Sequence, residues 1–235
     1  MSLLLAVDSA TPTCSAAVLR GGEVLADGTA GPGRDHAEIL LPLVDRVLRE
    51  AGVALREIEA FAVAIGPGSF TSLRVGLATV KGLAFGTAQP VAAVSSLAAL
   101  AWSAGASEAP LVPLLDARRG EIYAAIYQRK PDDLARLLPD AVYTPDELAP
   151  HLAQRCVLVG DADLFGEALR SAAPSGCEIT VISADSLSAT ARAVGVLGLR
   201  ALARGEGMDP ADLVPRYLRR AEAEVTRTGL RFESE

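Results

Sequence analysis

Histidine and cysteine are almost missing from this chain. His36 and His151 are the only histidines in 235 residues, and a lone histidine is more often a capping or structural residue than a metal ligand. Cys14, Cys156 and Cys177 are odd in number, widely spaced and free of any C-x-x-C. They suit a reducing cytoplasm better than a disulfide framework or a zinc site. Long apolar runs are missing too. The longest charge-free stretch, Gly82 to Ser107, is broken by Gln89, Pro90, Ser95 and Ser96, so it lacks the ~20 consecutive apolar residues that span a bilayer. The opening Met1 to Asp8 is short and has no basic leader, so a first strand is expected there rather than a signal peptide. Positive charge is in deficit. The net charge of −7 argues against the chain holding nucleic acid by itself, because phosphate binding rests on a basic surface. Arg216, Arg219, Arg220, Arg227 and Arg231 cluster late in the chain, but Glu222, Glu224, Glu233 and Glu235 nearly cancel them. A solvated tail or helix face is expected there. Neither G-x-x-x-x-G-K-S/T nor G-x-G-x-x-G occurs.

What is present is an alanine-, leucine- and valine-rich chain, half hydrophobic, long enough for one large domain or two compact halves with real cores. Its most informative stretch runs from Ala62 to Gly86. It reads as a short buried strand, a tight Gly-Pro-Gly turn and a helix that is apolar on nearly every side. Such a helix must be buried or covered by another chain. Ser72, Gly76, Thr79, Gly82 and Gly86 form a small-residue stripe along it, which would let a second helix approach closely. Another helix, from Asp35 to Ala51, carries Ile39, Leu40, Leu43, Val44, Val47 and Leu48 at helical spacing. Asp35 and Glu38 form a helix-start box, Gly52 a stop, and Pro42 predicts a kink.

The chain also repeats itself. Leu4 to Val18 aligns without gaps on Val112 to Ile126. In each copy an apolar strand ends in Asp8 or Asp116, a polar turn follows, and a second strand carries Ala-Ala-Val or Ala-Ala-Ile. A β-hairpin therefore opens each half. After the first come a strand at Glu23 to Thr29, the helix at Asp35, the strand at Phe61 to Ile65 and the apolar helix. A strand near Val91 to Val94 and a short helix capped by Ser95 and Ser96 close the half. The second half repeats the pattern and ends in a helix from about Ser188 to Arg204. Strands alternating with helices imply α/β layers with mixed sheets. The expected domains are residues 1–105 and 106–235.

A duplicated unit of this kind, with Asp at the first turn, resembles the actin-like ATPase (ribonuclease H-like) fold of sugar kinases, heat-shock ATPases and actin. More closely, the chain resembles the bacterial TsaB family, also called YeaZ. The resemblance rests on Leu5-Ala-Val-Asp8-Ser-Ala-Thr11, His36-Ala-Glu-Ile-Leu-Leu-Pro42, Gly66-Pro-Gly-Ser-Phe-Thr71 with Leu73-Arg-Val-Gly76, Asp116-Ala-Arg-Arg119 and Pro215-Arg-Tyr-Leu-Arg219. The Gly-Pro-Gly-Ser-Phe-Thr run followed by arginine is the specific part. Ser72 departs from that family, which usually has glycine there.

Residue by residue, the catalytic readings are weak. Phosphate loops need glycine amides close to the nucleotide, yet the Asp8 to Thr13 loop has no glycine and contains Pro12, which lacks a donor. The Asp116 to Glu121 loop has one glycine and two arginines. Asp8 and Asp116 either place carboxylates near a magnesium ion or satisfy turn N–H groups. The related TsaD family holds its metal with two histidines one helical turn apart; His36 stands where that pair would begin, but Leu40 takes the second place. Ser69 lacks the flanking glycines of a hydrolase elbow and reads as a helix-start residue. No cofactor and no metal is expected.

The resemblance implies a non-catalytic subunit supporting TsaD, which forms threonylcarbamoyladenosine beside the tRNA anticodon, with TsaE completing the system. It implies a chain that meets tRNA mainly through TsaD. The cysteine usage suits a cytoplasmic chain, no stretch suits a membrane, and apolar helix surface that one chain cannot fully cover predicts a homodimer when alone. The expected partner-binding residues are Ile39, Leu43, Phe70, Leu73, Arg74, Gly76, Leu77 and Val80. Two rival classes stand beside this reading: an actin-like ATPase or kinase, and a glycoprotease-type peptidase.

Overall fold

The computed structural model describes residues 2–31, 35–85, 89–184, 187 and 190–219. Three strands open the chain as an antiparallel meander: β1 (Leu3–Asp8), β2 (Cys14–Arg20) and β3 (Glu23–Ala30). The β2–β3 turn is Gly21-Gly22, both at positive φ, the backbone that a two-residue hairpin requires. Helix α1 (His36–Ala51) follows. The Asp35 carboxylate accepts from the Ala37 N–H at its start, and left-handed Gly52 closes it. The helix runs unbroken through Pro42. Next come β4 (Ala60–Gly66), parallel to β1, then α2 (Phe70–Ala84), β5 (Val91–Ser95), parallel to β4, and α3 (Ser96–Ser103).

The same plan then recurs. The strands β6 (Leu111–Asp116), β7 (Ile122–Lys130) and β8 (Asp133–Tyr143) form a second antiparallel meander. Short helix α4 (Pro145–Leu148) leads to β9 (Arg155–Gly160), α5 (Ala162–Ala172), β10 (Glu178–Ser183) and α6 (Thr190–Ala203). The first sheet has the order β3-β2-β1-β4-β5 and the second, read from the same end, β8-β7-β6-β9-β10. Two like α/β halves, each opening with a hairpin, are therefore real and give the actin-like fold.

The division into compact units differs from a cut at residue 105. One unit is residues 1–99 with 188–216, and the other residues 100–187 with 217–235. The last long helix, expected in the second half, belongs to the first unit. A row of small side chains explains this. Ala17, Ala6, Ala62 and Ala92 are register partners across β2, β1, β4 and β5, so one face of the sheet has a flat strip of methyl groups. Helix α6 lies on it, and at Gly198 a Cβ would come within 2.5 Å of the Ala62 methyl. Only glycine fits so close an approach. The opposite face of the sheet carries Leu3, Leu5, Val7 and Val63, which pack with Leu40, Val44, Val47, Leu77 and Val80 from α1 and α2. The sheet is buried on both sides. In the second unit Leu148, Leu152, Phe165 and Leu169 cover Val112, Leu114, Ile122 and Leu158. No helix among the described residues is long and apolar enough to cross a membrane.

Candidate partner-docking face and the two aspartate loops

Helix α2 is positioned at its first turn. The Gly66–Pro67 peptide is cis and Gly66 has φ 121°. Ser69 caps the helix, its hydroxyl accepting from the Ser72 N–H at 3.5 Å and from the Ser72 hydroxyl at 3.0 Å. The Ser69 N–H donates to the Ala10 carbonyl at 2.9 Å, and the Ser9 hydroxyl donates to the Ser72 carbonyl at 2.7 Å. The first loop and the start of α2 are thus one hydrogen-bonded unit. Ser72, the departure from the resembled family, takes part through both its hydroxyl and its carbonyl.

The position of each expected docking residue splits the set. Leu43, Leu73, Gly76, Leu77 and Val80 are buried inside this chain, so they are corrected from partner contacts to core. A Cβ on Gly76 would collide with the Ser9 hydroxyl; this glycine serves the approach of α2 to the first loop. Ile39 and Phe70 are half-buried and Arg74 is exposed. The Arg74 guanidinium lies 3.8 Å from the centre of the Phe70 ring, a cation–π contact. Thr71, Arg74, Ala78 and Gly82 form the outward stripe of α2, and Phe85, just past its end, is 86% exposed. Ala78 and Phe85, which are exposed here, were not among the expected residues. An aromatic beyond the last turn was the signal available for the second. Gly86 lies outside the described residues. On α1, Leu41 is exposed, and Asp45 pairs with Arg49 at 2.9 Å on the solvent side.

The first aspartate loop is closed by the fold. Asp8 is buried and accepts from the Ala10 N–H at 2.9 Å. Burial pushes its pKa above the usual carboxylate value, while bonds from Thr190 and Ala10 and the charge of His36 act against that rise. His36 is the first residue of α1, buried, with Nε2 3.1 Å from the Pro12 carbonyl. It therefore holds the loop in place.

In the second loop, Asp116 accepts from the Arg118 N–H at 2.7 Å and lies 3.2 Å from its guanidinium. Arg118, Arg119 and Gly120 are all in the left-handed region, unusual for two arginines in succession. Arg219 clamps this turn from outside. It donates to the Ala117 carbonyl at 2.5 Å and pairs with Glu121 at 3.1 Å, both side chains well buried. Of the late basic cluster, Arg220, Arg227 and Arg231 and all four glutamates lie outside the described residues. Among the described residues, no three His, Cys, Asp or Glu side chains gather as a metal site requires.

Comparison with known proteins gives the family. The family model described as TsaD, tRNA N6-adenosine threonylcarbamoyltransferase, matches residues 31–226. The tRNA threonylcarbamoyladenosine biosynthesis protein TsaB of Escherichia coli (strain K12) is 41% identical over 54% of this chain and 55% of its own length. That of Bacillus subtilis (strain 168) is 34% identical over 58% of this chain and 60% of its own. The matches thus span a little over half of these curated relatives. The structure of YeaZ from Pseudomonas aeruginosa superposes with a TM-score of 0.80 at 32% identity, covering 93% of this chain and 100% of that one. A ROK hexokinase from Thermus thermophilus shares the fold alone, with a TM-score of 0.52 at 14% identity. A solved YeaZ structure at 32% identity, covered along its whole length, and TsaB relatives at 34–41% identity lead to one assignment: the chain belongs to the TsaB (YeaZ) family.

Proposed function

We propose that this chain is a non-catalytic subunit of the tRNA threonylcarbamoyladenosine system, working in the cytoplasm. It binds a TsaD-type transferase through the outward face of α2 and the adjoining part of α1. TsaD then contributes the metal, the substrate and most of the tRNA contact, and TsaE completes the set. The observation that carries this reading is the exposed stripe Thr71, Arg74, Ala78 and Gly82, ending in an 86%-exposed Phe85. Small residues beside an aromatic and an Arg–Phe stack suit a closely approaching helix, and aromatic and arginine side chains dominate binding energy at interfaces. The aspartate loops support the non-catalytic part, since their polar groups are engaged within the fold.

The test uses titration calorimetry of the purified chain against TsaD. Ala78→Arg places a long charge where the fold has open surface, so the variant is expected to fold normally. It should weaken binding by at least tenfold, since about 1.4 kcal/mol corresponds to that factor. Unchanged affinity in a folded Ala78→Arg would overturn the docking face. Robust ATP hydrolysis by the chain alone, lost in Asp116→Asn, would overturn the non-catalytic assignment.

A further inference from the structure

After α6 the chain returns along α2 and is tied to it at both ends. Met208 exchanges two backbone hydrogen bonds with Val91 of the edge strand β5, at 2.9 and 3.0 Å. A short turn of 3-10 helix, Pro210–Asp212, follows, and the Asp209 carboxylate caps it by accepting from the Ala211 N–H at 2.7 Å. This turn presents the Ala211 carbonyl to Lys81 in the last turn of α2, whose Nζ donates to it at 3.1 Å. Leu213 then joins the core cluster that holds Leu77 and Val80. At the other end the Arg216 N–H donates to the Ile65 carbonyl at 2.8 Å, and a Cβ on Gly66 would stand 2.5 Å from the Arg216 carbonyl oxygen.

Ala211 is thus fixed beside the end of α2 and Arg216 beside its beginning, so the segment runs antiparallel to the helix. From Ala211 to Arg216 an extended chain at about 3.3 Å per residue covers roughly 17 Å. From Phe70 to Lys81 the helix, rising about 1.5 Å per residue, covers about the same. The segment therefore has little slack, and its two ties set where the helix stands. The last turn of α2 has need of this, because its own closing bond, from the Phe85 N–H to the Gly82 carbonyl, is stretched to 3.4 Å. Ala78, Gly82 and Phe85, all exposed, lie within four residues of Lys81, so what fixes Lys81 fixes them.

We propose that Lys81, through its bond to Ala211, is a positioning residue for TsaD binding. It locks the last turn of α2 to the 208–216 segment, so that Ala78, Gly82 and Phe85 meet the partner already in place. This rests on the docking reading above and adds a control point on another segment, Asp209. Without the Lys81 donor or the Asp209 cap the helix still forms, but its end is free to move. The partner must then order it on binding, and that cost lowers the affinity.

The experiment is a double-mutant cycle in TsaD affinity with Lys81→Met, Asp209→Ala and the pair, each also melted and mapped by peptide-resolved hydrogen exchange. Lys81→Met keeps the length of the side chain and loses the donor. It is expected to bind roughly three- to tenfold more weakly, about the worth of one hydrogen bond, and to melt close to the wild type. Lys81→Arg, which keeps a donor, should restore most of the affinity. Asp209→Ala should weaken binding without altering α2, and the pair should bind no more weakly than Lys81→Met alone, since both changes break one link. Exchange across residues 78–85 of the free chain should quicken in both single variants. Unchanged affinity in Lys81→Met would overturn the proposal. So would wild-type affinity in Asp209→Ala, which would reduce Lys81 to a direct contact, or losses that multiply in the pair. Full affinity in Ala78→Arg would instead overturn the docking reading, and exchange in the free chain would still decide whether Lys81 and Asp209 fix the end of α2.

Discussion

Gly76 in the middle of α2 lies against Ser9 of the first loop, with no room for a Cβ between them. The Ser9 hydroxyl at the same point donates to the Ser72 carbonyl, one turn earlier on the helix. Helix α2 is therefore seated on the β1–β2 loop through a glycine, and its outward face is a different set of residues.

Substitutions on the two faces should separate folding from binding. Gly76→Arg forces a long charged side chain into the Ser9 contact. Overpacking and an unpaired buried charge each cost at least about 1–3 kcal/mol, so a large loss of thermal stability is expected. Ala78→Arg, two positions later and exposed, should melt close to the wild type. Thermal melts by circular dichroism read both. A Gly76→Arg protein that melts normally would show that the helix can rotate or slide on its sheet.

The two faces of α2 illustrate what the sequence did and did not disclose. Local signals were legible: Asp35, Gly52 and Ser69 are caps because each satisfies backbone groups within a few residues. The repeat at Asp8 and Asp116 was legible because a hairpin is a local unit. The inward direction of α2 was not, since apolar residues all round the helix leave its period without a polar side to mark solvent. The membership of α6 in the first unit depends on Ala17, Ala6, Ala62 and Ala92 lining up across four strands, a register that no local pattern encodes.

That alanine row gives a second prediction. Gly198→Leu would drive a branched side chain into the Ala62 methyl, 2.5 Å from where its Cβ must stand. Helix α6 would have to lift from the sheet, exposing Leu4, Ala6 and Leu19. A loss of at least about 1–3 kcal/mol is expected from the overpacking, read as a lower urea midpoint. An unchanged midpoint would show that α6 contributes little to the first unit.

Asp8 makes stability depend on pH in an unusual direction. Its folded pKa is raised by burial above the ordinary carboxylate value of 3.8. The folded state therefore holds the proton more tightly than the unfolded chain. By linkage this contribution is fully present below the unfolded pKa and is lost as pH rises through the folded one. Asp8→Asn keeps an oxygen to accept the Ala10 N–H and never ionises. The stability of Asp8→Asn minus that of the wild type should thus increase as pH rises from about 4, measured by paired urea titrations. A difference that stays flat or falls with pH would mean that the bonds from Thr190 and Ala10 outweigh the burial.

Partner binding and self-association should compete. Thr71, Arg74, Ala78, Gly82 and Phe85 are exposed along and just past α2, and Leu41 is exposed on α1. A two-fold homodimer is the simplest way to cover an apolar face when the partner is missing. Both assemblies would then use Arg74, Ala78 and Phe85, and neither could form while the other persisted. Light scattering during titration with TsaD should show the homodimer converting to one-to-one mixed pairs, and Ala78→Arg should weaken both species together. Heterotetramers that retain the homodimer contact would place the two interfaces on different faces. Loss of the homodimer in Ala78→Arg with full TsaD affinity would assign the α2 stripe to self-association alone.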